Sequence, residues 1–385
     1  MSAIRRTGIR KAAALTSKFV ERIGGEVGPG GRSSVSGRTV AVFGGTGFLG
    51  RYVAFELGQN GTKTYFGNRG CEMEHRHLKP NFDLGMCKFV FYGPRDRDSM
   101  AEVISDADVV INLVGKHYET KTLTTNPTGK FPPLLYKTNY SYQEAHVDIP
   151  RTIAELCAEM QVDNLIHVSS LAAKEDTKSR WARSKLDGEN AVKEAYPWAT
   201  VLRPAQLFGP EDRLLNWFAR IAGSCPFVPM IDDGRALLQP VYMGDVAEAI
   251  RKIVEEPDKF EGRTIDCFGS QDFTYREIFE FVIDITKQEP KVVNVPLDIM
   301  KLLGSVIELA PTQPILTKDH VELWAEDYVA QTPEFYENQI GKDKILTLAD
   351  LDVKQTPIEK VAFGYLHRFR AGGHFVTNTG YHHDV

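Results

Sequence analysis

The chain has 385 residues, 42% hydrophobic and 25% charged, with 46 basic against 51 acidic side chains. That is the composition of an ordinary globular protein with a sizeable core, built as one large domain or as a core domain plus a smaller one. A net charge of −5 excludes a whole-protein basic field for nucleic acid, so any phosphate binding has to be local. The five cysteines (Cys71, Cys87, Cys157, Cys225 and Cys267) form no CxxC pair. This argues against a zinc site or disulfide framework, and for isolated thiols in a reducing compartment. No apolar run approaches the ~20 residues of a transmembrane helix.

The amino terminus carries Arg5, Arg6, Arg10, Lys11 and Lys18 before its first acid, Glu21, together with Ser2, Thr7, Thr16 and Ser17. An Arg-rich, acid-poor, hydroxyl-bearing start is the composition of a mitochondrial transit peptide. The alternative is a disordered basic tail, because Arg5 and Arg22 intrude on the apolar face of Ile4, Leu15 and Phe19. The stretch from Gly24 to Gly37 reads as a flexible linker.

From Arg38 the pattern becomes βαβ. The β-branched run Thr39–Gly44 leads into Gly-Gly-Thr-Gly-Phe-Leu-Gly and a helix over Phe48–Gln59. Strands follow at 62–68, 88–93 and Asp108–Gly115, with a helix over 98–107 before the last of them. Residues 119–138, with Pro127, Pro132 and Pro133, read as a loop. A long helix spans about Tyr142–Met160, a fifth strand runs through Asn164–Ser170, and a helix covers Lys178–Ala195. A sixth strand is expected over Ala199–Gly209. Strands alternating with helices predict an α/β fold with a doubly wound, Rossmann-type parallel sheet. After Pro210 the rhythm loosens. A strand end feeds a helix expected to be capped by Asp245. A capping box, Thr274 to Glu277, opens another. The chain thus divides into a presequence-like segment with linker (1–37), a nucleotide-binding domain (38–210, with return elements around 240–268), and a smaller mixed carboxy-terminal domain and tail (211–385).

Gly44, Gly47 and Gly50 form GxxGxxG between the first strand and its helix. Glycines permit the tight turn and let backbone N–H groups of Thr46, Phe48 and Leu49 approach a pyrophosphate at the helix amino terminus. An NAD site usually places an acid at the end of the second strand to bind the ribose 2′-hydroxyl. Here that position reads Phe66-Gly67-Asn68-Arg69, and no acid occurs before Glu72. Arg69, helped by Arg51, can fork onto a 2′-phosphate, which favours NADP(H); a plain surface arginine is the alternative. Asn112, Leu113, Val114 and Gly115 are expected to line the opposite wall.

These features resemble the extended short-chain dehydrogenase/reductases (SDRs). Their chemistry needs Tyr-x-x-x-Lys on one helix face: the lysine holds the nicotinamide ribose and the tyrosine exchanges a proton with substrate. A serine at the end of the fifth strand orients the substrate. This chain keeps Ser169 and Lys185 but has Trp181 four residues before the lysine, and no tyrosine between Tyr142 and Tyr196. An indole is no general acid near neutral pH, so no catalytic residue is assigned.

The resemblance goes further. Gly31–Gly37 (GRSSVSG), GGTGFLGRYV, VVINLVG, the HVDIP helix, IHVSS, LRPAQLFGPEDRLLN, QPVYMGDVA and LTKDHVEL are similar to the NADPH-binding, SDR-like accessory subunits of mitochondrial complex I, the alpha-subcomplex subunit 9 family, over about residues 32–370. That resemblance implies a tightly held NADPH outside the electron-transfer path. It also implies a place on the matrix side of the inner membrane beside other complex I subunits near the quinone-access region, and a role in assembly and in stabilising the junction of the two arms of this respiratory-chain, electron-transport complex. The glycine loop, Arg69 on the 2′-phosphate and Lys185 on the ribose carry over. Gly93 stands where an acid often meets adenine, which leaves Asp96 or the backbone to substitute. Leu297, Met300, Leu303, Val306, Ile307 and Leu309 offer an apolar face to partner subunits or lipid. His367, Arg368 and Arg370 offer charge to lipid phosphates or partner acids. Ordinary packing and a solvated tail are the respective alternatives. Two other functional classes stay open from the residues alone: an active NADP-dependent reductase or epimerase using a different acid such as Tyr118, and a soluble NADPH-sensing regulator.

Overall fold

The computed structural model describes residues 35–125, 134–225, 227–308, 314, 316–337, 339 and 344–370. The presequence-like segment and Leu309 lie outside them. The described chain is built on one eight-stranded sheet. Its strands are β1 (Thr39–Phe43), β2 (Lys63–Asn68), β3 (Cys87–Phe91), β4 (Val109–Asn112), β5 (Asn164–Val168), β6 (Thr200–Pro204), β7 (Thr264–Cys267) and β8 (Leu346–Thr347). They lie in the order β8-β7-β6-β5-β4-β1-β2-β3, every pair parallel. This is the expected doubly wound sheet. The chain reverses its direction of travel across the sheet between β1 and β4, which opens a crevice at their carboxyl ends.

Period-two alternation sorts the core into two faces. Val40 and Val42 of β1 pack with Val53 and Leu57 of α1 (Phe48–Gln59) and Val246 and Ile250 of α6 (Met243–Glu255). Ala41 and Phe43 pack on the other face with Met100 of α2 (Arg97–Ile104), Ile153 of α3 (Ile149–Met160) and Val192 of α4 (Arg180–Ala195). Beyond β6 the chain forms α5 (Leu215–Ser224), α7 (Tyr275–Thr286), α8 (Leu297–Glu308), α9 (Lys318–Trp324) and α10 (Ile358–Leu366). It returns to the sheet as β7 and again as β8. The capping box of α7 forms as expected: Thr274 Oγ1 accepts from Glu277 N at 3.1 Å, and Glu277 Oε2 accepts from Thr274 N at 2.7 Å. No described helix is long and apolar enough to cross a membrane.

Several expectations need correction. Residues 119–138 contain an antiparallel hairpin, Thr120–Thr125 with Leu134–Tyr140. The prolines that suggested a loop all fall between its strands, and the flanks are rich in Thr, Leu and Tyr, which favour strands. The sixth strand stops at Pro204, which has no N–H for the ladder; Leu207–Phe208 pairs instead with Val241–Tyr242. Asp245 does not cap α6. That helix starts at Met243, and the buried Asp245 carboxylate accepts from Thr356 N (2.6 Å) and Thr356 Oγ1 (2.8 Å), tying down the chain before α10. The apolar stripe of α8 is split. Met300 is buried against Ile231, Leu316 and Val321, with Leu297 and Ile307 alongside, while Leu303 and Val306 are exposed together with Ile299 and Leu302. Arg368 is exposed but tied to the fold: it donates to Asn216 Oδ1 at 2.6 Å and to Pro210 O at 3.2 Å.

Candidate functional site

The loop between β1 and α1 needs its glycines for three separate reasons. Gly44 has φ +82°, and a Cβ there would lie 3.0 Å from the carbonyl carbon of Leu113. A Cβ on Gly45 would lie 2.4 Å from Phe66 Cδ1, and one on Gly50 would lie 2.5 Å from Gly45 O. The helix therefore sits directly on its own loop, and the loop on β4. Gly47 N donates to Gly44 O at 3.0 Å and closes the turn. Gly47 is the N-cap of α1; no side chain caps the helix and its first turn has no acid. The first N–H groups of the helix end, those of Thr46, Phe48 and Leu49, are left for the crevice with the positive end of the helix dipole. A pyrophosphate is the group that such an end accepts.

Around this loop the fold gathers the other sequence candidates at the carboxyl ends of the strands. Arg69 is exposed just past β2, where Gly70 N donates to Asn68 Oδ1 at 2.8 Å and turns the chain. The next acid, Glu72, is bound to Lys79 at 2.5 Å, so it leaves the strand end without a ribose-binding carboxylate. Arg51 lies on α1 but pairs with Glu211 at 3.7 Å, both half-exposed. Asp96 caps α2, its Oδ1 accepting from Asp98 N at 3.3 Å.

On the opposite wall, Asn112 is buried and shapes the strand end instead of lining it. Its Oδ1 accepts from Val114 N at 3.0 Å and its amide nitrogen lies 3.1 Å from His167 Nδ1. Burial drives the His167 pKa from 6.5 to about 3, with Lys185 adding to the effect, so this imidazole stays neutral. Leu113, Val114 and the exposed Gly115 form the surface of that wall. Lys185, on α4, reaches it: a Cβ on Gly115 would stand 3.1 Å from Lys185 Nζ. Lys185 is 7% exposed, and its ammonium donates to Val168 O at 3.4 Å. Burial lowers its pKa from 10.5 to about 8, against the raising effect of Glu189. Ser169 Oγ, at the end of β5, is buried with no hydrogen-bond partner among the described residues. An under-partnered buried cation and an orphan hydroxyl beside an uncapped helix end fit the ribose and phosphates of a dinucleotide. No group of acids, histidines and cysteines among the described residues could hold a metal ion.

Trp181 stands one turn before Lys185 on the same face of α4. It is buried, and its indole N–H donates to Lys116 O at 2.6 Å. His117 lies flat on it, with ring centroids 5.6 Å apart and an interplanar angle of 13°. Lys116, His117, His146, Ser184 and His320 were not singled out from sequence. His146 belongs to a π-helical turn, Glu144–Asp148, inside the long helix expected over Tyr142–Met160. Pro150, four residues on, has no N–H for the His146 carbonyl. That carbonyl points instead at Gly188, where a Cβ would sit 2.0 Å away. The spacing of a proline four residues after a histidine, with a glycine on the neighbouring helix, is the signal that could have found it.

Comparisons with known proteins bear on the family and the fold. Residues 40–267 match the model of the NAD dependent epimerase/dehydratase family. The chain is 33% identical to "NADH dehydrogenase [ubiquinone] 1 alpha subcomplex subunit 9, mitochondrial" of Mus musculus, over 89% of this chain and 83% of the relative. It is 32% identical to the protein of the same name from Arabidopsis thaliana, over 94% and 86%. Among solved structures, the dTDP-glucose 4,6-dehydratase DesIV of Streptomyces venezuelae superposes with a TM-score of 0.59 over 89% of this chain and 98% of that one, at 14% identity. The last likeness is one of fold.

Proposed function

The chain belongs to the family of the mitochondrial NADH dehydrogenase [ubiquinone] 1 alpha subcomplex subunit 9 proteins, and on that premise we propose that it is a non-catalytic, NADPH-holding accessory subunit of respiratory complex I. One observation carries the non-catalytic part: Trp181 fills the position one turn before Lys185, with its only N–H spent on Lys116 O. A bound nicotinamide supplies hydride chemistry, but the accompanying proton needs a titratable group, and an indole provides none near neutral pH.

Choice of nucleotide follows from the end of β2. Arg69 brings a guanidinium where an NAD site would bring a carboxylate, and Glu72 is taken by Lys79. This supports a 2′-phosphate ligand and hence NADPH over NADH. Gly44, Gly47 and Gly50 would hold the pyrophosphate, and Lys185 with Ser169 would satisfy the nicotinamide ribose. The mitochondrial names of the relatives support a mitochondrial site of action. A matrix-side seat on the inner membrane, beside subunits of the quinone-access region, is the finer placement. The exposed Ile299, Leu302, Leu303 and Val306 of α8 support burial there against protein or lipid.

Native electrophoresis of detergent-solubilised mitochondria, with mass spectrometry and nucleotide extraction of the band holding this chain, tests the reading. The expected result is comigration with NADH dehydrogenase activity and release of NADPH. A free monomer or dimer, or a band yielding NADH alone, would sink it.

A further inference from the structure

We propose that Trp181, His146 and Ser184 form a latch that fixes the backbone of Lys116 and so sets how slowly the nicotinamide half of the nucleotide leaves. The proposal rests on the nucleotide-holding reading above and gives the residue in the tyrosine position a use of its own.

The latch grips both polar groups of one peptide residue. Lys116 O accepts from the Trp181 indole N–H at 2.6 Å, and Lys116 N donates to His146 Nε2 at 3.0 Å. These bonds also fix where the protons sit. His146 Nε2 is an acceptor, so in the neutral ring Nδ1 carries the hydrogen and donates to Ser184 Oγ at 2.7 Å. The Ser184 hydroxyl then donates to Trp181 O at 2.7 Å. The chain of bonds leaves α4 at Trp181 and returns to it at Ser184, enclosing Lys116 and His146. Burial, with Lys185 as the next cause, keeps the His146 pKa well below its ordinary value, so the accepting tautomer is maintained.

Three packing facts make the latch rigid. Gly188 lets the π-helical turn that carries His146 press on α4, since any Cβ there would overlap the His146 carbonyl. Tyr142 OH donates to His117 O at 3.0 Å and secures the next peptide. Asp319 of α9 accepts from Arg180 N at 3.1 Å and anchors the start of α4 immediately before Trp181. Lys116 follows Gly115, the residue beside Lys185 Nζ, so the held segment is the wall that the nicotinamide ribose would pass. A tyrosine at 181 would have to leave its hydroxyl free for chemistry. A tryptophan spends its N–H on the wall. The helix position that would carry a proton-transferring tyrosine in a catalytic SDR here carries a fastener.

Release rates from the full-length protein decide the matter, using two probes: NADPH, and adenosine 2′,5′-bisphosphate, which lacks the nicotinamide half. Trp181→Phe removes the N–H and keeps an aromatic ring; Ser184→Ala breaks the return bond; Ser184→Thr keeps a hydroxyl. Loss of one hydrogen bond predicts NADPH release about tenfold faster in Trp181→Phe and Ser184→Ala. Release should be unchanged in Ser184→Thr, and the fragment's affinity unchanged in all three. NADPH release at the wild-type rate in both disrupting variants overturns the latch. Equal weakening of NADPH and the fragment overturns it too, because that is a general loss of fold. If the wild-type protein binds neither probe, the nucleotide-holding reading falls and takes the latch with it.

Discussion

Replacing Lys185 with methionine should separate what the fold needs from what the nucleotide needs. The residue is 7% exposed, its ammonium has a backbone acceptor at 3.4 Å, and burial lowers its pKa from 10.5 to about 8. At about 1.4 kcal/mol per pH unit, holding it charged in the nucleotide-free protein at pH 7 costs on the order of 3 kcal/mol. The folded pKa lies below the unfolded one, so between about pH 8 and 10.5 the unfolded chain binds more protons and stability rises with pH. Below that window both states are charged and the whole penalty is present. Methionine fills the same space without a charge, at the loss of one long hydrogen bond. Lys185→Met should therefore stabilise the nucleotide-free protein by about 1–3 kcal/mol at pH 7, and the gain should disappear above pH 10.5. With NADPH present the gain should shrink or vanish, because the variant would forfeit the proposed contact with the ribose; its affinity should fall about ten- to a hundredfold, or about 1–3 kcal/mol. Urea unfolding at pH 7 and pH 10.5, with and without NADPH, measures all of this. A variant that is less stable than wild type at pH 7 without nucleotide, or that shifts stability equally at both pH values, refutes the reasoning.

Three further outcomes are expected. Arg69→Ala should weaken NADPH binding about ten- to a hundredfold and leave NADH binding unchanged, by titration calorimetry; equal loss of both would remove Arg69 from the 2′-phosphate. Gly44→Ala should cost about 1–2 kcal/mol from the left-handed backbone alone, and more from the contact with Leu113, so both the melting temperature and nucleotide retention should fall. The buried Glu189 accepts from Arg203 Nε at 3.0 Å and from Arg203 Nη2 at 2.6 Å. Glu189→Gln should destabilise the fold by about 3–5 kcal/mol, and the double change Glu189→Leu with Arg203→Met should recover most of that in chemical denaturation.

What the sequence disclosed and what it hid divide along a physical line. The glycine loop, the alternating strands and the capping box of α7 are local: each is specified by residues within a turn or two. The Trp181–Lys185 pair is visible for the same reason, since both lie on one helix face. The hairpin at Thr120–Tyr140 was hidden because three prolines between two strands look like a loop when the pairing partner is unknown. Asp245 looks like a cap, yet its partner is Thr356, more than a hundred residues away. Which face of α8 is buried depends on Leu316 and Val321, which no periodicity within the helix reveals. The latch combines all three difficulties: it joins Lys116, His146 and Trp181 across three segments, through a helix distortion that only the pairing of Pro150 with Gly188 hints at.

The double return of the chain to the sheet spreads the support of the nucleotide half along the polypeptide. β8 forms the sheet edge beyond β7, and Asp319 secures the start of the helix that carries Trp181 and Lys185. Strands β1 to β6 are contiguous in sequence, but the sheet edge beyond them and the anchor of α4 both come from residues that follow β6. A stop codon between β7 and Asp319 would leave β7 as an unpaired sheet edge and α4 without its anchor, so the truncated chain should be less stable than the whole one.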